Sequence, residues 1–337
     1  MRAPAFWWKT APDALALLLS PIGAAYGAAT ARRMARPGMR VSAPVICVGN
    51  FVVGGAGKTP TAVALAQALQ GLGEEPFFLT RGYGAREPVT TPLRVDPGQH
   101  DSQRVGDEPL LLARAAPTIV SPDRIAGARL AIAEGASVLV MDDGLQNPRL
   151  HKDFSIAVVD GAAGIGNGLC APAGPLRAPL AAQTPFIDAV LTIGEPRQGL
   201  ALPGGLRTVS GRLAPDAASA AALAGERVFA FAGIGRPEKF FDTLRAAGAI
   251  VVGAQAFADH YPFSAADLAL LTEQARAHNA RLVTTEKDLV RLPAGADVAT
   301  LPVALVTEPA TALAELAAAA LVKARGQTAI IASGRPL

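Results

Sequence analysis

The chain has 337 residues, of which 50% are hydrophobic and 18% are charged, and its formal net charge is +3. This length and apolar content suffice for about two domains with their own cores, and they exclude a largely disordered chain. The net charge is too small to indicate nucleic-acid binding by itself. Two cysteines, Cys47 and Cys170, make no disulfide framework, so a reducing cytosol fits the composition.

The first 40 residues combine an apolar segment with aromatic and basic flanks. Residues 14–31 carry no charge, although they include Pro21 and two glycines. The flanking residues are Phe6, Trp7, Trp8 and Lys9 on one side and Arg32, Arg33, Arg36 and Arg40 on the other. We expect no signal peptide, because no cleavage-site pattern follows. The composition suits a helix in a membrane interface and equally a helix packed on the protein's own core.

Apolar runs alternate with helical patterns between residues 41 and 196. Their Val and Ile content predicts buried parallel strands of a doubly wound α/β sheet. The runs are 45–48, 76–79, 118–120, 138–141, 156–159 and 189–193.

The rest of the chain predicts a linker followed by a second, smaller α/β domain. The stretch 197–225 is first rich in Gly and Pro and then in Ala, which indicates a linker with a short two-stranded ribbon. Further strand candidates are 228–232, 250–253, 282–284 and 303–306. The predicted domains are therefore 1–40, 41–196, 197–225 and 226–337.

A phosphate-binding loop is predicted between the first strand and the first following helix. The segment is Val53-Gly54-Gly55-Ala56-Gly57-Lys58-Thr59. Its glycines would let backbone amides approach phosphate oxygens, Lys58 would neutralise the β- and γ-phosphates, and Thr59 would bind Mg²⁺. The usual pattern has glycine where this chain has Val52, so the flexibility is shifted inward. The alternative is a glycine-rich turn with an incidental lysine.

Two pairs of carboxylates are candidates for metal binding and proton transfer. Asp142 and Asp143 end an apolar strand, which would bring a carboxylate beside the phosphate-bound Mg²⁺, unless they only form a turn with Gly144. Asp107 and Glu108 begin a helical pattern, where a carboxylate could orient or deprotonate an attacking hydroxyl. The alternative for this second pair is an ordinary helix start.

Three further candidates lie in predicted loops. His260, in the second unit, could share a proton with a carboxylate across a cleft between the two domains. Arg81 and Arg177 follow predicted strands, where a bidentate contact with phosphate is expected. The alternative for all three is ordinary surface charge.

In chain order, these motifs resemble those of the tetraacyldisaccharide 4′-kinases, the lipid A 4′-kinases. The matching elements are Val48-Gly49-Asn50, 54–60, Arg81-Gly82-Tyr83-Gly84, 105–109, 142–146, Gly174-Pro175-Leu176-Arg177, 231–235, Asp259-His260-Tyr261 and 284–288. The resemblance implies a P-loop NTPase-like sheet, a two-stranded linker and a smaller C-terminal α/β domain. It also implies transfer of the γ-phosphate of ATP, with Mg²⁺, to the 4′-hydroxyl of a tetraacyl disaccharide 1-phosphate in lipid A biosynthesis.

The resemblance also implies roles for individual residues. Asp107 is expected to be the catalytic base, assisted by His260, with Lys58 at the transferred phosphate. ATP would contact residues 53–59, and the candidate Mg²⁺ ligands are Thr59, Asp142, Asp143 and Glu108. The candidate substrate-binding residues are Asn50, Arg81, Tyr83 and Arg177.

The expected location is the cytoplasmic face of the bacterial inner membrane. The resemblance favours the interfacial interpretation of the N-terminal helix, which would hold the enzyme there as a peripheral or monotopic protein. The lipid disaccharide and the membrane surface are the expected partners, and neither nucleic acid nor an obligate protein partner is expected.

Two other functions compete with a lipid kinase. A nucleotide-switch ATPase or GTPase, of the metallochaperone or partitioning type, has a related phosphate loop. However, the segment 285–288 lacks the spacing of a guanine-specific [NT]-K-x-D motif, and Val53 stands where partitioning ATPases have lysine. Cys/His clusters for metal delivery are missing from the sequence as well. A kinase of cytosolic metabolites would not need the Trp- and Arg-flanked N-terminal helix.

Overall fold

The computed structural model describes residues 3–87, 89–197, 200, 202, 204–235, 237–293 and 295–332. Its strands are β1 (Val45–Gly49), β2 (Pro76–Thr80), β3 (Leu93–Arg94), β4 (Thr118–Val120), β5 (Val138–Asp142), β6 (Phe154–Asp160), β7 (Ala189–Ile193), β8 (Arg207–Pro215), β9 (Arg227–Ala232), β10 (Ile250–Ala256), β11 (Arg281–Thr284), β12 (Ala299–Thr300) and β13 (Val303–Glu308). Its α-helices are α1 (Ala14–Met34), α2 (Lys58–Gly71), α3 (Ser102–Val105), α4 (Asp107–Ala113), α5 (Arg124–Ala133), α6 (Leu180–Gln183), α7 (Ala217–Leu223), α8 (Pro237–Ala246), α9 (Ala265–Ala277), α10 (Glu286–Leu289) and α11 (Ala312–Ala332). Short 3₁₀ turns cover Ala5–Trp8 and Thr184–Phe186.

The larger sheet has the strand order β13-β8-β7-β6-β1-β5-β2-β4-β3. The strands from β8 to β4 pair in parallel, and only the edge strands β3 and β13 are antiparallel. Every residue of β1, β2 and β5 is buried, as expected for parallel strands covered on both faces. The predicted doubly wound α/β sheet is confirmed.

Alternating side chains of β1 enter two separate cores. Ile46 lies in a cluster with Leu65 of α2 and Leu316 of α11, on one face of the sheet. Cys47 lies in a cluster with Ala128 of α5 and Met141, on the other face. Because helices cover both faces of the sheet, a ligand-binding site is expected in the loops at the carboxyl ends of the parallel strands.

The second sheet is smaller and has the order β10-β9-β11-β12, with all pairs parallel. Phe240 and Leu244 of α8 pack in one of its apolar clusters, and Leu271 and Ala275 of α9 pack in another. The sequence prediction of a second α/β unit is therefore correct.

The predicted limits of the linker and of this second unit are wrong. The strand β8, placed in the linker, belongs to the larger sheet. The strand β13, assigned to the second unit, pairs with β8 in antiparallel register, with Leu305 opposite Leu213. The helix α11 then packs in the core of the larger sheet, so the second unit ends near residue 300 rather than 337. Strand propensity reports a pleated, half-buried segment but does not specify its partner strand.

The N-terminal helix α1 packs on the protein with one face and is exposed on the other. Its buried residues are Ala16, Gly23, Gly27, Thr30 and Met34. A Cβ atom on Gly23 would lie 2.6 Å from the Cys170 carbonyl oxygen, and one on Gly27 would lie 2.6 Å from Cys170 Sγ. Both glycines therefore allow close contact with the segment from Cys170 to Pro179.

The exposed part of α1 carries a row of apolar side chains about a quarter turn from the buried face. Its members are Leu15, Leu18, Ile22 and Tyr26, which are 49%, 75%, 59% and 43% exposed. Among the described helices, α1 is the one long and apolar enough to cross a membrane by length and composition. Trp7, one of the aromatic residues that flank this helix, adds no exposed apolar surface, because it is buried and its Nε1 donates to Pro172 O at 2.9 Å.

Candidate active site

The loop between β1 and α2 presents unbonded backbone amides to open space. Gly54 and Gly57 adopt φ values of 113° and 85°, which side-chain-bearing residues rarely adopt. Within the described chain, the amides of residues 54–57 donate no backbone hydrogen bond. A Cβ atom on Gly54 or Gly55 would meet no atom within 4 Å. This arrangement has the free donors and the room that a phosphate group needs.

Contacts from behind fix the shape of this phosphate loop. The amide of Val53 donates to Pro175 O at 2.7 Å, and Val52 forms an antiparallel bridge with Leu176. Asn50 Nδ2 donates to Gly54 O at 3.0 Å. The sequence placed Val53 among the ATP contacts and Asn50 among the substrate contacts. Instead, the Val53 amide is already bonded, and Asn50 is fully buried beneath the loop.

Lys58 and Thr59 begin α2, immediately after the loop. Lys58 is buried, and its Nζ lies 3.1 Å from Gly54 O and 3.8 Å from Asp143 Oδ1. The lysine is therefore held at the loop by a carbonyl and a carboxylate. In this position it can exchange the weak carbonyl contact for a phosphate oxygen.

Asp142 has the environment expected of a cation site. It lies at the end of β5, is 1% exposed, and its Oδ1 has no hydrogen-bond partner among the described residues. Burial, followed by the nearby charge of Glu108, raises the pKa of Asp142 well above its usual range. A buried, unpartnered carboxylate beside a second carboxylate fits a bound divalent cation.

The described residues contain no group of three His, Cys, Asp or Glu side chains that could hold a metal ion on their own. Mg²⁺ commonly keeps several waters and takes phosphate oxygens together with one or two protein ligands. Asp142 at the end of β5 and the Thr59 hydroxyl in the first turn of α2 are oxygen donors of the kind that suits Mg²⁺ on a nucleotide.

Asp143 is paired with cations. Arg177 Nη1 lies 2.9 Å from Asp143 Oδ1, and Nη2 donates to Oδ2 at 2.9 Å. Although burial opposes it, the charges of Lys58 and Arg177 hold the pKa of Asp143 below its ordinary value. The remaining Arg177 donors contact Val52 O at 3.0 Å and Gln146 Oε1 at 3.2 Å. Arg177 therefore braces the phosphate loop, and its contact with the substrate stays a prediction.

Arg81 and Tyr83 lie in the loop after β2 and are exposed, Tyr83 by 74%. Neither side chain has a hydrogen bond within the described chain, so both are available to a ligand. The loop lies next to α4, because a Cβ atom on Gly106 would approach Tyr83 O to 2.5 Å. It therefore borders the position of Asp107.

Asp107, at the start of α4, contacts two side chains of the smaller domain. His260 Nδ1 lies 2.8 Å from Asp107 Oδ2, and Arg291 Nε donates to the same oxygen at 2.7 Å. Although burial opposes it, the hydrogen bond from His260 and the charge of Arg291 lower the pKa of Asp107. The predicted pairing of Asp107 with His260 is thus present in the structure.

Sequence analysis missed two arginines. Arg291 lies just beyond α10 and donates to Asp107. The sequence feature that could have indicated this arginine is its position three residues after Asp288, with which it forms an ion pair. Arg124 is buried at the start of α5, where Nη1 donates to the carbonyls of Thr80 and Ser121. Burial, followed by the charge of Arg81, lowers the pKa of Arg124 to about 10.

A doubly wound sheet with a strand–glycine loop–helix unit, a lysine at the loop and a carboxylate at the end of the neighbouring strand defines the P-loop class of nucleotide-binding proteins, which includes kinases. A model of the tetraacyldisaccharide-1-P 4′-kinase family matches residues 15–322. The chain belongs to this kinase family, as its motifs predict, and the nucleotide-switch alternative is not favoured.

Individual relatives agree with this assignment. A tetraacyldisaccharide 4′-kinase of Methylobacterium sp. (strain 4-46) is 59% identical over 331 residues, covering 96% of this chain and 99% of the relative. One from Rhodopseudomonas palustris (strain HaA2) is 52% identical over 312 residues, covering 91% and 90%. A crystal structure of LpxK from Aquifex aeolicus in complex with ATP has a TM-score of 0.75 at 25% identity, covering 91% of this chain and 99% of that one. The predicted fold, kinase class and use of ATP are confirmed.

Proposed function

We propose that this chain transfers the γ-phosphate of ATP to the 4′-hydroxyl of a tetraacyl disaccharide 1-phosphate at the cytoplasmic face of the inner membrane. The observation that carries this proposal is the contact between Asp107 and His260, next in sequence to Glu108, whose charge acts on Asp142 at the end of β5. The Asp107 carboxylate would accept the proton of the hydroxyl, and the phosphate loop would bind the nucleotide.

The nucleotide would be held by the loop itself. The free amides of Gly54, Gly55, Ala56 and Gly57 would bind phosphate oxygens, and Lys58 would bind the β- and γ-phosphates. Thr59 and Asp142 would hold Mg²⁺, with Glu108 contributing to the negative field. When bound, the metal neutralises phosphate charge and so favours transfer.

Asp107 would act as the base toward the acceptor hydroxyl. Both of its described side-chain hydrogen bonds use Oδ2, which leaves Oδ1 to accept a proton. His260 is 43% exposed, so the imidazole can pass a proton onward to solvent. Arg81 and Tyr83, exposed at the same edge, are the best-placed groups to contact the substrate's polar parts.

The exposed row of α1 would bring the enzyme to its substrate. Extracting an acylated sugar from a bilayer costs about 0.8 kcal/mol for each CH₂ brought into water, so the reaction belongs at the interface. Leu15, Leu18, Ile22 and Tyr26 present apolar surface, and the last turn of the same helix carries Arg32 and Arg33. Arginines attract anionic head groups by about 1 kcal/mol each near the surface.

The test is a transfer assay with γ-labelled ATP and detergent-dispersed disaccharide 1-phosphate, followed by mapping of the new phosphate. Label at the 4′-position, lost in the Asp107→Ala variant, is the expected result. ATP hydrolysis without lipid labelling would contradict the proposed acceptor. Normal labelling by Asp107→Ala would contradict the proposed base.

A further inference from the structure

Arg291 connects both members of the Asp107–His260 pair. Its Nε donates to Asp107 Oδ2 at 2.7 Å, and its Nη2 lies 3.4 Å from His260 Nδ1. Asp107 comes from the larger sheet's domain, whereas His260 and Arg291 come from the smaller one. The guanidinium therefore spans the contact between the two domains at the point where the proposed proton transfer occurs.

The arginine is itself firmly anchored within the smaller domain. Its Nη1 donates to Asp288 Oδ1 and to Gly233 O, both at 2.9 Å. Asp288 is fully buried and accepts a hydrogen bond of 2.6 Å from Thr285 Oγ1. Two carboxylates surround one buried guanidinium and compensate its charge.

The histidine depends on the same anchor. The His260 amide donates to Gly233 O at 3.0 Å, the carbonyl that Arg291 also uses. The backbone of His260 has a φ of 59°, an unusual conformation for a residue with a side chain. Arg291 and His260 thus both donate to Gly233 O, and the side chains of both contact Asp107 Oδ2.

We propose that Arg291 is a positioning residue for phosphoryl transfer, which holds Asp107 and His260 in one fixed arrangement across the domain interface. By occupying Oδ2 together with His260, it leaves Asp107 Oδ1 to take the hydroxyl proton. This inference rests on the proposed role of Asp107. Arg291 does not touch the transferred group, and its effect passes through the carboxylate.

An arginine that only joined the two domains would affect stability without a specific effect on the chemical step. The Arg291→Lys variant separates these roles, because it keeps the charge but cannot contact Asp107, Asp288 and Gly233 at once. We expect kcat to fall roughly tenfold, with the KM for ATP changed by less than about twofold. The matched control is Arg227→Lys, which alters an exposed arginine of the same domain bonded to His278 O.

The decisive comparison repeats Arg291→Lys in the His260→Ala background. If both residues act through Asp107, the second substitution should lower kcat by less than about threefold. The full tenfold loss in that background, or an unchanged kcat in the single variant, would overturn the inference. Melting temperatures are measured for every variant.

If Arg291→Lys does not fold, Asp288→Asn is used, since it weakens the anchor and retains the guanidinium. A roughly threefold or greater fall in kcat is expected, again with the KM for ATP nearly constant, and an unchanged kcat would overturn the inference. The proposed function fails separately, if the wild type does not label the lipid or if Asp107→Ala retains normal kcat.

Discussion

Arg177 and Asp143 form a two-point ion pair beside the phosphate loop, with both nitrogen–oxygen distances at 2.9 Å. The same guanidinium also donates to Val52 O at 3.0 Å. Asp143 in turn lies 3.8 Å from Lys58 Nζ. The position of Lys58 therefore depends, through Asp143, on Arg177, which lies in the segment between β6 and α6.

Replacing Arg177 with Lys is expected to weaken nucleotide binding. A single ammonium group cannot make the paired contact with Asp143 and the bond to Val52 O together. The KM for ATP should rise roughly tenfold, and titration calorimetry with a non-hydrolysable ATP analogue should show the same loss of affinity. The exposed Arg149→Lys serves as the control. Equal affinity of the two variants would show that Arg177 does not brace the loop.

Removing the loop lysine is expected to abolish most turnover. Lys58→Ala removes a positive charge whose stabilising effect is largest in the transition state of phosphoryl transfer. We expect kcat to fall by about a thousandfold, equivalent to roughly 4 kcal/mol. Lys239→Ala, on the exposed face of α8, should be unaffected. A folded Lys58→Ala enzyme with near-normal kcat would remove this residue from the proposed mechanism.

Loss of the proposed base and loss of its partner should not add. Asp107→Ala should reduce kcat far more than it weakens ATP binding, and His260→Ala should have a smaller effect. Because the two side chains share a contact of 2.8 Å, the double variant should resemble Asp107→Ala alone. Losses in ln kcat that sum fully would show that the residues act independently.

Membrane binding should depend on the exposed row of α1. Leu18→Glu places a charge on its most exposed member, and it should weaken sedimentation with vesicles of anionic phospholipid several-fold. Val322→Glu on α11 is the matched control, since that valine is 73% exposed on a helix packed against α2. Salt should reduce binding of the wild type in part, through the basic last turn of α1. Identical sedimentation of both variants would locate the membrane contact elsewhere.

Local patterns were enough to predict the central strands and the phosphate loop. An apolar run such as 45–48, a glycine cluster and a helical pattern each depend on neighbouring residues only. The partner of β13 depends on register with a strand about 90 residues earlier, which no local pattern encodes. For the same reason the end of the second unit was misplaced.

The site residues divide in a similar way. Lys58 and Asp142 follow from the position of a motif at a strand end. In the structure Lys58 begins α2 directly after the loop, and Asp142 lies opposite Val48 of β1 and is influenced by the charge of Lys58. The contacts of Asn50 and Val53 could not be predicted, because they depend on which polar groups face inward after folding. Arg291 had only its spacing from Asp288 as a signal, and its role becomes visible only where the two domains meet at Asp107.

The contact of α1 with the Cys170 segment affects how the apolar surface of this helix should be altered. Gly23 and Gly27 pack against the same segment whose Pro175 O accepts a hydrogen bond from the Val53 amide of the phosphate loop. Truncating the helix would therefore remove its apolar surface. It would also remove the contacts that support the segment behind the phosphate loop. A better approach is to keep Gly23 and Gly27 and to replace the exposed apolar residues with polar ones. These residues are Leu15, Leu18, Ile22 and Tyr26.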